Sequence, residues 1–405
     1  MGRPSVRYRA AAVLARLAAR LSRLLLHGSG NVIGGAVLLR LARDAVAARA
    51  RGHRITLVTG TNGKSTTTAM ITAALRTDAA VATNADGANT PNGLAWTIAT
   101  SACDDVVLEV DEAWLPWAVR MMRPATVVLL NLTRDQLHRK PEIWPMAEAW
   151  RRAMREVPRV VAAADDPAVV WASRDASEVI YVGTGAEWTA DSALCPRCKE
   201  LLRDRTAAWW CPCGFARPAY AVSAADGRVV VDGTPLGGEA ALPGSANLAN
   251  AAMAVAAVRD RVPPERALAA ISSDVQEVAG RYLEVVLEGR RVRLLLAKNP
   301  AGWQVALGML RDGASTLLAF SADGIDGRDT SWLYDVSFDR LRGRRVAVIG
   351  PRGTDLVVRL HLDGIETGAA GRSLREGLEA LPLGEVDVAA TYGAFQAIRR
   401  ELDVV

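Results

Sequence analysis

Val58-Thr59-Gly60-Thr61-Asn62-Gly63-Lys64-Ser65-Thr66-Thr67-Thr68 is the stretch on which the fold turns. Ahead of it, Ile55-Thr56-Leu57-Val58 is an apolar, β-branched run of the kind that forms a buried strand. Behind it, Ala69-Met70-Ile71-Thr72-Ala73-Ala74-Leu75 continues as a helix. A strand, a glycine turn, then a lysine and a hydroxyl residue opening a helix make an anion cradle. Backbone N–H groups point at phosphate oxygens, the helix N-terminus adds positive potential, Lys64 neutralises charge and Ser65 can reach a magnesium ion. Gly60, Thr61, Asn62, Gly63, Lys64, Ser65 and Thr66 are therefore read as an ATP site. The strict Walker spacing asks for glycine where this chain has Val58.

Outward from the loop the strand pattern repeats. Val106-Val107-Leu108-Glu109-Val110-Asp111-Glu112 is an apolar run ending in three carboxylates. Ligands of α/β sheets collect at the C-terminal ends of strands, so these acids, Glu109 first, are candidates to face the phosphates and hold Mg2+. Thr126 to Leu130 leads into Asn131-Leu132-Thr133-Arg134-Asp135-Gln136-Leu137, and Val160 to Ala164 leads into Asp165-Asp166-Pro167. Strands spaced by helices imply an α/β fold with a mostly parallel sheet. Thr83 to Gly93 is dense in turn formers, a loop able to close over a nucleotide's metal. Arg228 to Val231 with its Gly/Pro turn suggests a hairpin. Asn247 and Asn250, three apart on the helix after Leu242-Pro243-Gly244, share a face and are candidates to hold an adenine ring or a backbone.

Runs at Arg293 to Ala297, Thr316 to Phe320, Arg345 to Ile349 and Val386 to Ala390, with a helix from Ala394, indicate a smaller second α/β domain. At 405 residues the chain exceeds what one core serves. The expected division is a basic helical segment over 1–45, a central ATP-binding domain over 46–279 and a C-terminal domain over 280–405.

Four of the five cysteines fall in Cys195-Pro196-Arg197-Cys198 and Cys211-Pro212-Cys213-Gly214. Two close pairs a hairpin apart match a zinc ribbon inserted at about 191–218, in which Zn2+ replaces a core too small to form. The second pair is one residue tighter than usual, and a disulfide framework is the rival reading. A ribbon with closed thiolate coordination is structural.

The formal net charge is +5, and Arg3, Arg7, Arg9, Arg16, Arg20 and Arg23 all precede the first acidic residue, Asp44. That asymmetry favours an interfacial or acidic partner for the N-terminus over nucleic-acid binding by the whole chain. Ala10 to Leu26 alternates apolar residues and arginine at helical spacing, as a helix packed on the domain beneath it or one lying on a membrane surface would. Gly28 to Asn31 and Gly34-Gly35 break the pattern before a second helix over about 36–48. Arginines interrupt every candidate spanning window, and no secretory pattern stands out. The expected location is the cytoplasm, with the inner face of the cell membrane as a site of peripheral contact.

Taken in order, Gly-Thr-Asn-Gly-Lys-Ser at 60–65, Glu109, Asn131 to Leu137, Asp165-Asp166-Pro167, and Leu242-Pro243-Gly244 with Asn247 and Asn250 resemble the Mur ligase family. Within it the chain resembles the MurT branch. The features behind this resemblance are a cysteine ribbon in the central domain, Lys298-Asn299-Pro300-Ala301-Gly302, the stretch from Asp326 to Asp335, and an expected lack of a separate N-terminal UDP-binding domain. The resemblance implies a Mur ligase-like fold and ATP-dependent amidation, through an acyl phosphate, of the α-carboxyl of D-isoglutamate in the lipid II stem peptide. It also implies a heterodimer with a GatD-type glutaminase that supplies ammonia. On this reading Asp335, with Asp329 the alternative, completes the glutaminase triad. Lys298 steers the anionic intermediate, Arg281 meets the γ-phosphate, and Asn250 sits near the adenine. The chain departs from the family's pattern at Gln136, His138, Ala164 and Ala246. Competing readings are a stand-alone ligase joining an amine to a carboxylate, and a noncatalytic nucleotide-binding scaffold.

Overall fold

The computed structural model describes residues 6–26, 30–84, 88–134, 143–185, 190–204, 208–238, 242–275, 282–322 and 329–402. The chain divides into two units, Met1–Leu132 with Ile143–Gln276, and Thr133–Glu142 with Glu277–Val405.

The first unit opens with helices α1 (Val6–Leu26) and α2 (Asn31–Ala50), then alternates β1 (Arg54–Thr59), α3 (Lys64–Arg76), β2 (Val81–Thr83), α4 (Pro91–Thr100), β3 (Asp105–Glu109), α5 (Leu115–Met122), β4 (Thr126–Leu129), α6 (Ile143–Met154), β5 (Arg159–Ala163), α7 (Pro167–Ser173) and β6 (Glu178–Gly183). After a cysteine-bearing insertion come β7 (Val222–Ala225), β8 (Arg228–Val231), β9 (Thr234–Pro235), α8 (Ser245–Val258) and α9 (Pro264–Asp274). The strands form one sheet in the order β2-β3-β1-β4-β5-β6-β7-β8-β9, parallel from β2 to β7 and antiparallel where β8 and β9 close the edge. Helices cover the inner strands, which is why they read in sequence as unbroken apolar runs: every residue of β3 is buried. The order reverses at β1, which lies between β3 and β4. The loops leaving those three strands therefore meet at one sheet edge, where α/β folds place their ligands.

The break expected at Gly34 and Gly35, ahead of a helix over about 36–48, is not there: both glycines lie inside α2. A Cβ on Gly35 would run into the backbone carbonyl of Asn92, and one on Gly34 into the ring of Trp96. Bare backbone is what lets α2 approach α4 this closely, and packing here outweighs glycine's poor helix propensity. No helix among the described residues is long and apolar enough to cross a membrane.

The second unit contains β10 (Tyr282–Leu287), β11 (Arg290–Leu296), α10 (Pro300–Gly308), β12 (Ser315–Ala319), β13 (Val346–Ile349), α11 (Gly353–Leu362), α12 (Leu374–Glu379), β14 (Glu385–Ala390) and α13 (Tyr392–Glu401). Its sheet runs β10-β11-β14-β12-β13, parallel except for the β10–β11 hairpin. One apolar cluster is built around Trp303, Phe320, Trp332 and Phe338, and a second around Leu317, Leu378, Val388 and Phe395. The expected α/β architecture, with mostly parallel sheets and a second α/β unit, is what the structure shows.

Candidate functional site

The glycine loop turns on two residues with positive φ. Gly60 (φ 148°) carries the chain out of β1, and Gly63 (φ 85°) forms the N-terminal boundary of α3 with no side chain to cap it. A Cβ on Gly63 would lie 2.6 Å from Asn250 Oδ1, so only glycine fits both the backbone and the space. The helix therefore presents first-turn N–H groups and its positive end at the loop, the arrangement that suits an anion.

Asn131, at the end of β4, holds the loop in shape. Its backbone carbonyl accepts from Thr61 N–H (3.0 Å), its Oδ1 accepts from Asn62 N–H (2.8 Å), and its Nδ2 donates to the Asn62 carbonyl (3.0 Å). Lys64 folds back over the loop, its Nζ donating to the carbonyls of Gly60 (2.6 Å) and Thr61 (3.2 Å) and to Glu112 Oε1 (3.0 Å). Ser65 Oγ donates to Glu109 Oε2 at 2.5 Å, and Asn89 Nδ2 donates to the other carboxylate oxygen at 3.0 Å. Asn84 fixes the backbone of Glu109 from both sides, accepting from its N–H and donating to its carbonyl, each at 2.9 Å. Lys64, Ser65 and Glu109 are thus brought together, in a buried setting where fixed charges act strongly.

Glu112 is the partner that sequence reasoning did not assign. Its distance in sequence from Lys64 hides the pair, and its place in the strand-end run of acids is the only signal. Asn84 and Asn89 sit in a stretch read only as a loop. Asn250 lies against Gly63, whereas Asn247 turns its Nδ2 back to the Pro243 carbonyl (2.7 Å). Arg281 falls outside the described residues.

Asp166 caps α7, accepting from Ala168 N–H (2.9 Å) and Val169 N–H (3.3 Å), and its second oxygen accepts from Leu132 N–H (2.7 Å). Burial pushes its carboxyl up to about 6 against the opposing pull of those three N–H donors. It ties Leu132 to α7.

The four cysteines converge between β6 and β7. Their sulfurs all lie within 4.8 Å of one another, with Cys195–Cys213 at 3.6 Å and Cys198–Cys211 at 3.3 Å. No disulfide joins them. Zn–S bonds of about 2.3 Å imply sulfurs roughly 3.8 Å apart around a tetrahedral ion, close to these spacings. A small apolar cluster of Val170, Leu202, Trp209 and Phe215 packs with Cys195 and Cys211. The set can hold one metal ion and leaves it no open position.

In the second unit, Asp335 ends a short helical turn over Ser331–Asp335 and pairs with Arg134 at 3.1 Å while 37% of its side chain stays exposed. Asp329 is exposed and accepts from Ser331 N–H (2.9 Å). Lys298 is half-buried beside Asn299, whose Oδ1 caps α10 through Gly302 N–H (2.8 Å).

Comparison with known proteins fits this geometry. A Mur ligase middle domain matches residues 58–258 and a MurT ligase C-terminal domain matches residues 296–395. The chain is 29% identical over 390 residues to the lipid II isoglutaminyl synthase (glutamine-hydrolyzing) subunit MurT of Streptococcus pneumoniae, covering 87% of each. It is 26% identical to the Staphylococcus aureus (strain N315) protein of the same name, again covering 87% of each. Among solved structures, MurF from Acinetobacter baumannii superposes with a TM-score of 0.66 at 14% identity, over 92% of this chain and 80% of that one. With the middle and C-terminal domains matched in order on the two units just described, the chain belongs to the Mur ligase family.

Proposed function

We propose that this protein is the synthetase subunit that amidates the α-carboxyl of D-isoglutamate in the lipid II stem peptide, using ATP and ammonia from a GatD-type glutaminase. The observation that carries the reading is the ordered phosphate loop, with Ser65 and Glu109 in contact, in a chain that also has a MurT-type C-terminal domain. The substrate carboxylate attacks the γ-phosphorus of ATP, the bond to ADP breaks, and an acyl phosphate results. Ammonia then attacks the acyl carbon, phosphate departs and the nitrogen gives up a proton, leaving the amide.

Several anionic oxygens crowd together in the first step, so charge stabilisation matters more than a protein nucleophile. Lys64 and the N–H groups of α3 hold phosphates, and Asn250 borders the nucleotide. A hydroxyl beside a carboxylate is a hard oxygen donor set suited to magnesium; held by Ser65 and Glu109, Mg2+ would neutralise phosphate charge. Lys298 guides the anionic intermediate, and Arg281 is assigned to the γ-phosphate from sequence alone. Zn2+ on Cys195, Cys198, Cys211 and Cys213 is structural. Asp335, exposed enough to serve another chain, completes the partner's catalytic set, with Asp329 the alternative.

The test is amidation of lipid II by the purified chain with ATP, magnesium and an ammonium salt. D-isoglutamine formed in step with ADP supports the proposal. Amide formed only when an amino acid replaces ammonia, or nucleotide bound without turnover, contradicts it.

A further inference from the structure

Helix α1 has two unlike faces. Ala11, Ala15, Ala19 and Ser22 are buried and line one side, against which Gly30 brings the start of α2 into contact with the Ala19 carbonyl. The other side exposes Val13, Leu14, Leu17, Leu21 and Leu24, from 50% to 78% accessible. At 3.6 residues per turn these five span an arc of about 100°, an apolar stripe rather than scattered leucines. Arg16, Arg20 and Arg23, all exposed, lie along one flank of the stripe, and the helix contains no acidic residue.

Those charges select the occupant. A second copy of the helix would set arginine against arginine, and a protein helix usually presents a seam of mixed sign. A leucine stripe with a rim of one basic sign matches the interfacial zone of an anionic bilayer, with leucines in the acyl boundary and guanidinium groups at the headgroups. We infer that α1 docks on an anionic phospholipid membrane through Leu14, Leu17, Leu21 and Leu24, with Arg16, Arg20 and Arg23 on the lipid phosphates. The face that packs on the protein and the face that meets the membrane are both present on this helix. The inference deepens the proposed function, whose substrate is lipid-linked, and rests on it for its purpose only.

The test is co-sedimentation of the full chain with vesicles that contain no lipid II, so that it fails separately from the amidation reading. One vesicle set is equimolar phosphatidylglycerol and phosphatidylcholine, the other phosphatidylcholine alone. Binding is expected to the anionic vesicles and to be weakened by salt. Arg16→Gln, Arg20→Gln and Arg23→Gln together should lower partitioning about a hundredfold, and Leu17→Gln with Leu21→Gln at least about tenfold. All five sites are exposed, and unchanged circular dichroism and melting would show the variants folded. No binding to anionic vesicles overturns the inference, even if the helix is found to hold an acidic protein, as does equal binding by wild type and both variants.

Discussion

The end of β3 beside the glycine loop and the segment from Asp329 to Asp335 carry their carboxylates in opposite ways. Glu109 is 7% exposed, and both its oxygens and both its backbone groups are held by Ser65, Asn89 and Asn84. Asp335 is 37% exposed at the end of a short turn, with an ion pair to Arg134. A group that must meet a small ligand in one geometry is best fixed in advance and kept dry. A group that serves a second protein has to remain reachable. On the proposed function, the same residue chemistry is divided by burial between work inside the chain and work for a partner.

The largest effect that would break this contrast is at Lys64. Lys64→Ala should lower amidation about a thousandfold with either nitrogen source, and Glu109→Gln about a hundredfold, measured as ADP and amide release. A loss confined to glutamine-driven turnover would place the loop in the wrong half of the reaction. Gly63→Ala should raise the KM for ATP roughly tenfold, because the left-handed backbone and the contact with Asn250 both resist a Cβ. Cys211→Ser separates a structural from a reacting site within the first unit. Bound zinc, read by atomic absorption, should fall from about one per chain to none, and the melting temperature by roughly 5 °C or more. Amidation should drop far less than in Lys64→Ala.

The smallest effect concerns Asp166. Burial pushes its folded carboxyl up to about 6, against about 3.9 in an unfolded chain. Between those values the native state holds more protons than the unfolded one, so stability contributed by this group is complete below about pH 4 and lost as pH rises through 6. The slope is at most about 1.4 kcal/mol per pH unit. Asp166→Asn keeps the cap and removes the charge, so chemical denaturation from pH 4 to 7 should show a flatter profile than wild type.

Much of the fold was legible because buried parallel strands are written as apolar runs: β1, β3, β4, β5, β12 and β14 could each be read directly. The three-residue β2 is too short to show a period, and β6 has only two fully buried residues. Within the site, residues adjacent in sequence were readable and those joined by topology were not. The glycine loop and the strand-end Glu109 could be found from local pattern. Lys64 with Glu112, or Asn131 beneath Asn62, exist only once β1, β3 and β4 are side by side. Helix α1 was ambiguous for a related reason: sequence shows its two apolar sets, but only packing shows that alanines face inward and leucines outward.

The central claim, that one region makes the amide and the other helps release its nitrogen, is tested most directly with Asp335→Asn in the complex with the glutaminase. The measurement is the ratio of glutamine-driven to ammonium-driven amidation of lipid II. Ammonium-driven turnover is expected to stay within about twofold of wild type while glutamine-driven turnover falls about a hundredfold or more. Full glutamine-driven activity in this variant, or equal loss with both nitrogen sources, would contradict it.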